Sequence, residues 1–168
     1  GGFTHKFIGD NDYRTIHLFD LDNPENNLAI VSKEVVYKTP NTHERFDLVL
    51  FLNGLPVVII ETKNITQDWK LGVSDINQVY LNKAPAFFAT NILNVVCNGT
   101  NFRYGSLNQP DYTWSMWGST NDPYDLQGIE RTKRSIDLLL SPSTLINIAD
   151  DFTLFQRSGA TGAKKIIP

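Results

Sequence analysis

Asp47, Glu61 and Lys63 stand at the ends of the two most hydrophobic runs of the chain, RFDLVLFLNGLPVVIIETKN, residues 45–64. Burying a charge without a partner is costly. Either these three neutralise one another or a further ion belongs between them. Residues two apart in a strand share a face, so Glu61 and Lys63 point the same way. Two carboxylates with a backbone carbonyl such as that of Thr62 suit a hard cation like Mg²⁺. Such a cation polarises a phosphoryl oxygen and lowers the pKa of a bound water. Lys63 would then orient or deprotonate the attacking water, or stabilise charge on the phosphorane. Two other readings stay open on these residues alone. One is an ion pair at the end of a sheet. The other is a glycosidase-like acid pair, for which only common aromatics suggest a sugar cleft.

The register of the hairpin decides whether Asp47 joins the other two. A two-residue turn at Asn53-Gly54 places Asp47 opposite Ile60, on the face away from Glu61. A three-residue loop, or a bulge using Gly54, places it opposite Glu61. If the three act together, the hairpin must contain one extra residue.

The surrounding elements follow from hydrophobic periodicity. An alternating run spans residues 15–19, and strands are expected over 28–38, 46–52 and 56–62. The last of these is nearly continuous β-branched sequence, as in a strand covered on both faces. Residues 66–83 place Trp69, Val73, Ile76 and Tyr80 three to four apart, an amphipathic helix with Thr66 or Asp68 as its cap. Two strands flank Asn98-Gly99, and YTWSMW is a short strand or aromatic loop. Two helices follow, the second with Ser141 as cap and Pro142 at its first position. The fold class is therefore α/β, a mixed sheet flanked by helices.

With 168 residues, 41% hydrophobic and 20% charged, the composition is that of a folded domain. A formal charge of −3 argues against broad coating of nucleic acid, though not against a local basic edge. The single Cys97 rules out an intramolecular disulfide and fits a reducing, cytoplasmic setting. No apolar run reaches the ~18 residues of a membrane span. His5, His17 and His43 lack metal-ligand spacing. Trp114 and Trp117 read as a structural aromatic cluster, and Lys70, Lys83 and Arg103 as solvated charges with phosphate contact as the alternative.

The wider text resembles the nuclease core of the motor (R) subunit of type I restriction-modification enzymes, within the PD-(D/E)xK nuclease superfamily. The likeness rests on RFDLVLFLNGLPVVIIETKN, with YRTIHLFDLDNPENN before it and NQVYLNKAPAFFATN and NGTNFRYGSL after it. It covers roughly residues 12–107 in the family's order. The resemblance implies a restriction-endonuclease-like fold and Mg²⁺-dependent endonucleolytic cleavage of double-stranded DNA. Asp47 and Glu61 are then metal ligands together with Thr62, and Lys63 is the catalytic lysine. Phe46 stands where the superfamily has proline. Tyr80 matches the tyrosine of a Gln-x-x-x-Tyr element on the following helix. The glutamine position is Ile76, and Gln78 lies about 200° around the helix from Tyr80.

The implied partners are the methyltransferase and specificity subunits, and a helicase motor in the same polypeptide that carries the ATP dependence. Residues 1–155 are expected to form the nuclease domain and 156–168 a linker toward that motor, in a chain that is part of a longer polypeptide. The rival reading is a nuclease-fold scaffold, weak or inactive in cleavage, that docks the motor to the methyltransferase and DNA.

Overall fold

The computed structural model describes residues 2–118, 126–158 and 161–166. Its centre is a five-stranded sheet built from β3 (Ala29–Thr39), β4 (Thr42–Leu52), β5 (Leu55–Thr62), β6 (Leu93–Cys97) and β7 (Phe102–Gly105), side by side in that order. Only β5 and β6 pair in parallel; every other neighbour is antiparallel. Two-stranded sheets stand at the two ends of the described chain. One pairs β1 (Gly2–His5) with β2 (Arg14–His17), the other β8 (Thr153–Ser158) with β9 (Thr161–Ile166).

The parallel step needs a crossover, and residues 70–88 supply it. It begins with α1 (Lys70–Ser74), continues through a π turn (Asp75–Tyr80) and α2 (Leu81–Lys83), and ends in a short 3₁₀ turn. Asp68 Oδ1 accepts the Lys70 N–H at 3.0 Å at the helix start. Helices α3 (Gly128–Leu139) and α4 (Pro142–Asp151) follow the sheet. Ser141 caps α4 by accepting the Thr144 N–H at 3.2 Å, ahead of Pro142.

These helices cover both faces of the sheet, which is why β5 carries an unbroken apolar sequence. On one face Leu50, Leu52, Val58, Ile60 and Val95 pack against Leu139, Leu145 and Ile146 of α3 and α4. On the other, Val49, Ile59 and Val96 pack against Val73 and Ile76 of the crossover helix, with Phe46, Phe88 and Trp114. Fully burying one such aliphatic side chain stabilises by about 1.5–3 kcal/mol, so the strand that carries the site is among the most firmly held parts of the molecule.

The YTWSMW segment settles as a loop tied to the sheet. Ser115 and Tyr104 exchange backbone hydrogen bonds of 2.9 and 3.0 Å. Trp114 lies directly over Gly105, where an added Cβ would come within 2.5 Å of the indole. Trp117 packs edge-on against Tyr104 at 5.6 Å. Both tryptophans are thus structural.

The hairpin between β4 and β5 contains the extra residue that the register demanded, in a different place from Gly54. Asn53 and Gly54 form a two-residue turn with φ of 50° and 81°, the conformation that Asn-Gly adopts most readily. Pairing runs Leu52 with Leu55 and Phe51 with Pro56, then slips, so that Leu50 meets Val58 and Leu48 meets Ile60. Val57 is left over as a bulge. Continuing the ladder one step sets Asp47 opposite Glu61.

Candidate active site

At the end of the β4–β5 hairpin, Asp47 is fastened to the neighbouring strand. Its Oδ2 accepts from the Thr62 amide at 2.9 Å and from the Thr62 hydroxyl at 2.6 Å. Glu61, next along β5, is almost wholly buried, with 4% of its surface exposed. Its two oxygens are both engaged. Oε1 accepts a short hydrogen bond from Lys63 Nζ, and Oε2 accepts from the Tyr80 hydroxyl at 2.9 Å. Lys63 Nζ also pairs with Asp75 Oδ2 at 2.7 Å. The Lys63 amide donates to the Cys97 carbonyl at 2.8 Å, extending the parallel ladder and fixing the lysine backbone.

The crossover helix closes over this group because Gly72 permits it. A Cβ at Gly72 would lie 2.9 Å from Val96 Cγ1 and 3.2 Å from Glu61 Cγ. The helix axis therefore runs as near to Glu61 as a backbone can, shielding its stem from water.

Charge in the cluster is unbalanced. Asp47, Glu61 and Asp75 are acids, and Lys63 is the one cation paired within the group among the described residues. Burial raises the pKa of Glu61. The hydrogen bonds from Lys63 and Tyr80 oppose that, and the charge of Asp47 adds to it. For Lys63 burial pulls the pKa down, but the hydrogen bonds to Asp75 and Glu61 outweigh burial and leave it raised, so the ammonium stays charged at neutral pH. Tyr80 is pushed well above the ordinary phenol range by burial and by Glu61, and so serves as a neutral donor.

A testable consequence follows for stability. A carboxyl whose folded pKa lies above its unfolded value binds its proton more tightly in the folded state. Its contribution is then fully present below the unfolded pKa and is lost as pH rises through the folded one. Glu61→Gln keeps the shape and stays neutral. Without divalent metal, its urea midpoint is expected to exceed that of the parent at pH 7 and to converge with it toward pH 4. Equal midpoints at pH 7 would show that Lys63 and Tyr80 fully compensate the buried carboxylate.

The structure therefore gathers Asp47, Glu61, Thr62, Lys63 and Tyr80 at one end of β5. Gln78 is exposed on the helix, where its carbonyl accepts from Asn82, and Ile76 is buried in the core. Neither reaches the cluster. Asp75 does, and no spacing rule marks it. In an α-helix it would sit about 140° around from Tyr80, five residues on. The π turn, closed by the Leu81 amide on the Ile76 carbonyl, widens the helix by one residue and brings both to the Glu61–Lys63 pair. Such turns occur often at functional sites. His43 is exposed, and the Cys97 sulfur accepts from the Gly99 amide at 3.3 Å.

The family described as Type I restriction enzyme R protein N terminus matches residues 1–113. The chain belongs to this family. Among curated proteins it is 24% identical over 155 residues to the Type I restriction enzyme HindI endonuclease subunit of Haemophilus influenzae, covering 89% of this chain and 15% of that protein. It is 27% identical over 173 residues to the Type I restriction enzyme EcoprrI endonuclease subunit of Escherichia coli, covering 93% of this chain and 51% of that protein. The chain thus spans between about a seventh and a half of the length of these relatives. As an R-protein N-terminal domain it has the mixed sheet with flanking helices expected of a restriction-endonuclease-like fold. Among the described residues no helix is long and apolar enough to cross a membrane.

Proposed function

We propose that this domain hydrolyses phosphodiesters of double-stranded DNA as the Mg²⁺-dependent nuclease of a type I restriction enzyme. The observation that carries the reading is the negatively charged cluster around buried Glu61 at the end of β5, which Asp47 joins only because the hairpin holds one extra residue. The donor set suits a hard cation: Asp47 and Glu61 offer carboxylate oxygens, and the Thr62 carbonyl follows Glu61 directly on β5. Among the described residues no group of three or more His, Cys, Asp or Glu side chains is disposed to hold an ion. Mg²⁺ keeps several waters and takes one or two carboxylates. When bound, the metal would supply Lewis-acid activation of the phosphoryl group and of a water.

The chain's own residues have distinct tasks in this scheme. Thr62 fixes the Asp47 carboxylate through one oxygen. Tyr80 and Lys63 fix Glu61 from opposite oxygens, so both acids are oriented by a rigid frame. Lys63, held between Glu61 and Asp75, places an ammonium where charge develops on the phosphoryl oxygens and where an attacking water would be oriented. Supporting partners are the methyltransferase and specificity subunits, with ATP used by a helicase motor of the same polypeptide and the work done in the cytoplasm. Residues 156–168 would lead toward that motor.

The direct test is a calorimetric titration of Mn²⁺ into this domain beside Asp47→Ala and Glu61→Ala. Binding by the parent and its loss in both variants is expected. Equal binding by all three would move the metal away from these acids and sink the assignment. Binding without cleavage by the assembled enzyme would favour a scaffold that has kept the fold and its ion.

A further inference from the structure

A cationic cavity stands beside the acidic cluster on the same face of the sheet. Glu61 pairs with Val96, and Val96 pairs with Arg103, so the three form one rung across β5, β6 and β7. Directly paired residues project to the same face, which puts Arg103 about 10 Å from Glu61, two strand spacings away. Its guanidinium lies over Trp69, 5.4 Å from the ring centroid. Arg103, Trp69, Arg131, Tyr112, Lys70 and Asp111 are among the residues that line a cavity of about 510 Å³.

Among the described residues the charges in this cavity do not cancel. Lys70 and Asp111 neutralise each other at 3.1 Å. Arg103 and Arg131 remain, two cations near enough that Arg131, after burial, depresses the pKa of Arg103. Arg131 Nη2 donates to the Gly118 carbonyl at 3.2 Å. Arg103 Nη1 is buried and has no hydrogen-bond partner among the described residues. A buried donor left unpaired costs about 1–3 kcal/mol, more when charged, and placing two like charges together adds to that. A bound oxyanion removes both penalties, and a guanidinium held over an indole is a preorganised receptor for one.

We infer that this cavity binds a phosphodiester of the DNA strand a few nucleotides from the one presented to Asp47 and Glu61. The choice of DNA as the source of the oxyanion rests on the nuclease reading above. The spacing favours it: a site about 10 Å from the acidic cluster lies within reach of a neighbouring phosphate on the same DNA strand. The cavity supplies the local basic patch that a chain of net charge −3 needs in order to approach a polyanion.

The test is fluorescence anisotropy of a labelled 20-base-pair duplex titrated with this chain at low salt and without divalent metal. Arg103→Ala and Arg131→Ala are each expected to weaken binding about ten-fold and to lower the slope of log Kobs against log salt by about one. Arg103→Lys is expected to fall between, since it keeps the charge and loses the fork. Arg14→Ala, a cation paired with Asp10 on the β1–β2 hairpin, should bind as the parent does. Unfolding midpoints of the variants separate lost binding from lost folding, and Arg103→Lys keeps the test open if Arg103→Ala does not fold. Equal duplex affinity for the parent and the arginine variants would overturn the inference. So would absence of duplex binding by the parent, including the case in which inorganic phosphate alone protects it thermally. The nuclease reading fails separately: arginine-dependent duplex binding by a domain that neither binds Mn²⁺ nor cuts would leave this site standing and remove that one.

Discussion

Lys63→Met is expected to slow DNA cleavage by the assembled enzyme roughly 10²–10³-fold while leaving ATP hydrolysis unchanged. The magnitude is that of removing one preorganised donor from a site where charge develops. The geometry explains why so much rests on one side chain. Lys63 is the ammonium that bridges Glu61 and Asp75, and its amide is tied to Cys97 across the sheet. Methionine has nearly the same length and no charge, so packing is kept while the bridge is lost. Two carboxylates are then left facing each other, an arrangement that penalises folding as well. Mn²⁺ calorimetry on the same variant separates the two effects: a folded Lys63→Met domain retains Asp47 and Glu61 and so retains metal binding. Cleavage within two-fold of the parent, with metal bound, would remove Lys63 from the chemistry.

The largest loss of stability is expected from Phe46→Ala. Phe46 is fully buried beside Asp47, stacks on Phe87 at 4.5 Å and meets Tyr80 edge-on at 4.9 Å. Truncating a buried phenylalanine costs about 3–5 kcal/mol, a large share of the 5–15 kcal/mol typical of a domain. For a chain of this size the melting temperature should fall by on the order of 10 °C. Function should suffer beyond the loss of folded protein, because Phe46 supports the ring whose hydroxyl holds Glu61. A Phe46→Leu variant, which refills most of the volume, should recover most of the stability and less of the Mn²⁺ affinity. If both variants unfold within a degree or two of the parent, the aromatic cluster is not what braces this corner.

Much of this arrangement is legible in the sequence. The β-branched run of β5, the amphipathic crossover and the Ser141-Pro142 helix start are local signals, and each appears where its chemistry places it. The need for one extra residue in the hairpin was also legible, since strand parity requires it. Its position was not. Asn53-Gly54 completes a turn without help, so the surplus residue falls at Val57, where only the fit of two buried faces decides. Asp75 was invisible for a related reason. As one acid on the polar side of a helix it looks solvated, and the widened turn that swings it inward has no residue signature. Arg103 reads as an ordinary surface charge until Trp69 and Arg131, distant in sequence, are seen beside it. Among the described residues the strands Gly2–His5 and Thr161–Ile166 pair only with their own hairpin partners, and they lack the long apolar alternation that announces a strand.

The π turn between Asp75 and Tyr80 has a consequence for how this helix is compared with its relatives. It makes the segment one residue longer than an α-helix covering the same path, so position and place part company there. Counting back four residues from Tyr80, as the Gln-x-x-x-Tyr element prescribes, arrives at Ile76, a core side chain. Following the surface instead arrives at Asp75, five residues back and in contact with Lys63. A column-by-column alignment would therefore record a polar group as lost at this site, whereas a superposition by shape would record it as exchanged for an acid. Deleting Val79 would convert the turn to a plain α-helix and return Asp75 to the fourth position, where sequence and shape would again agree.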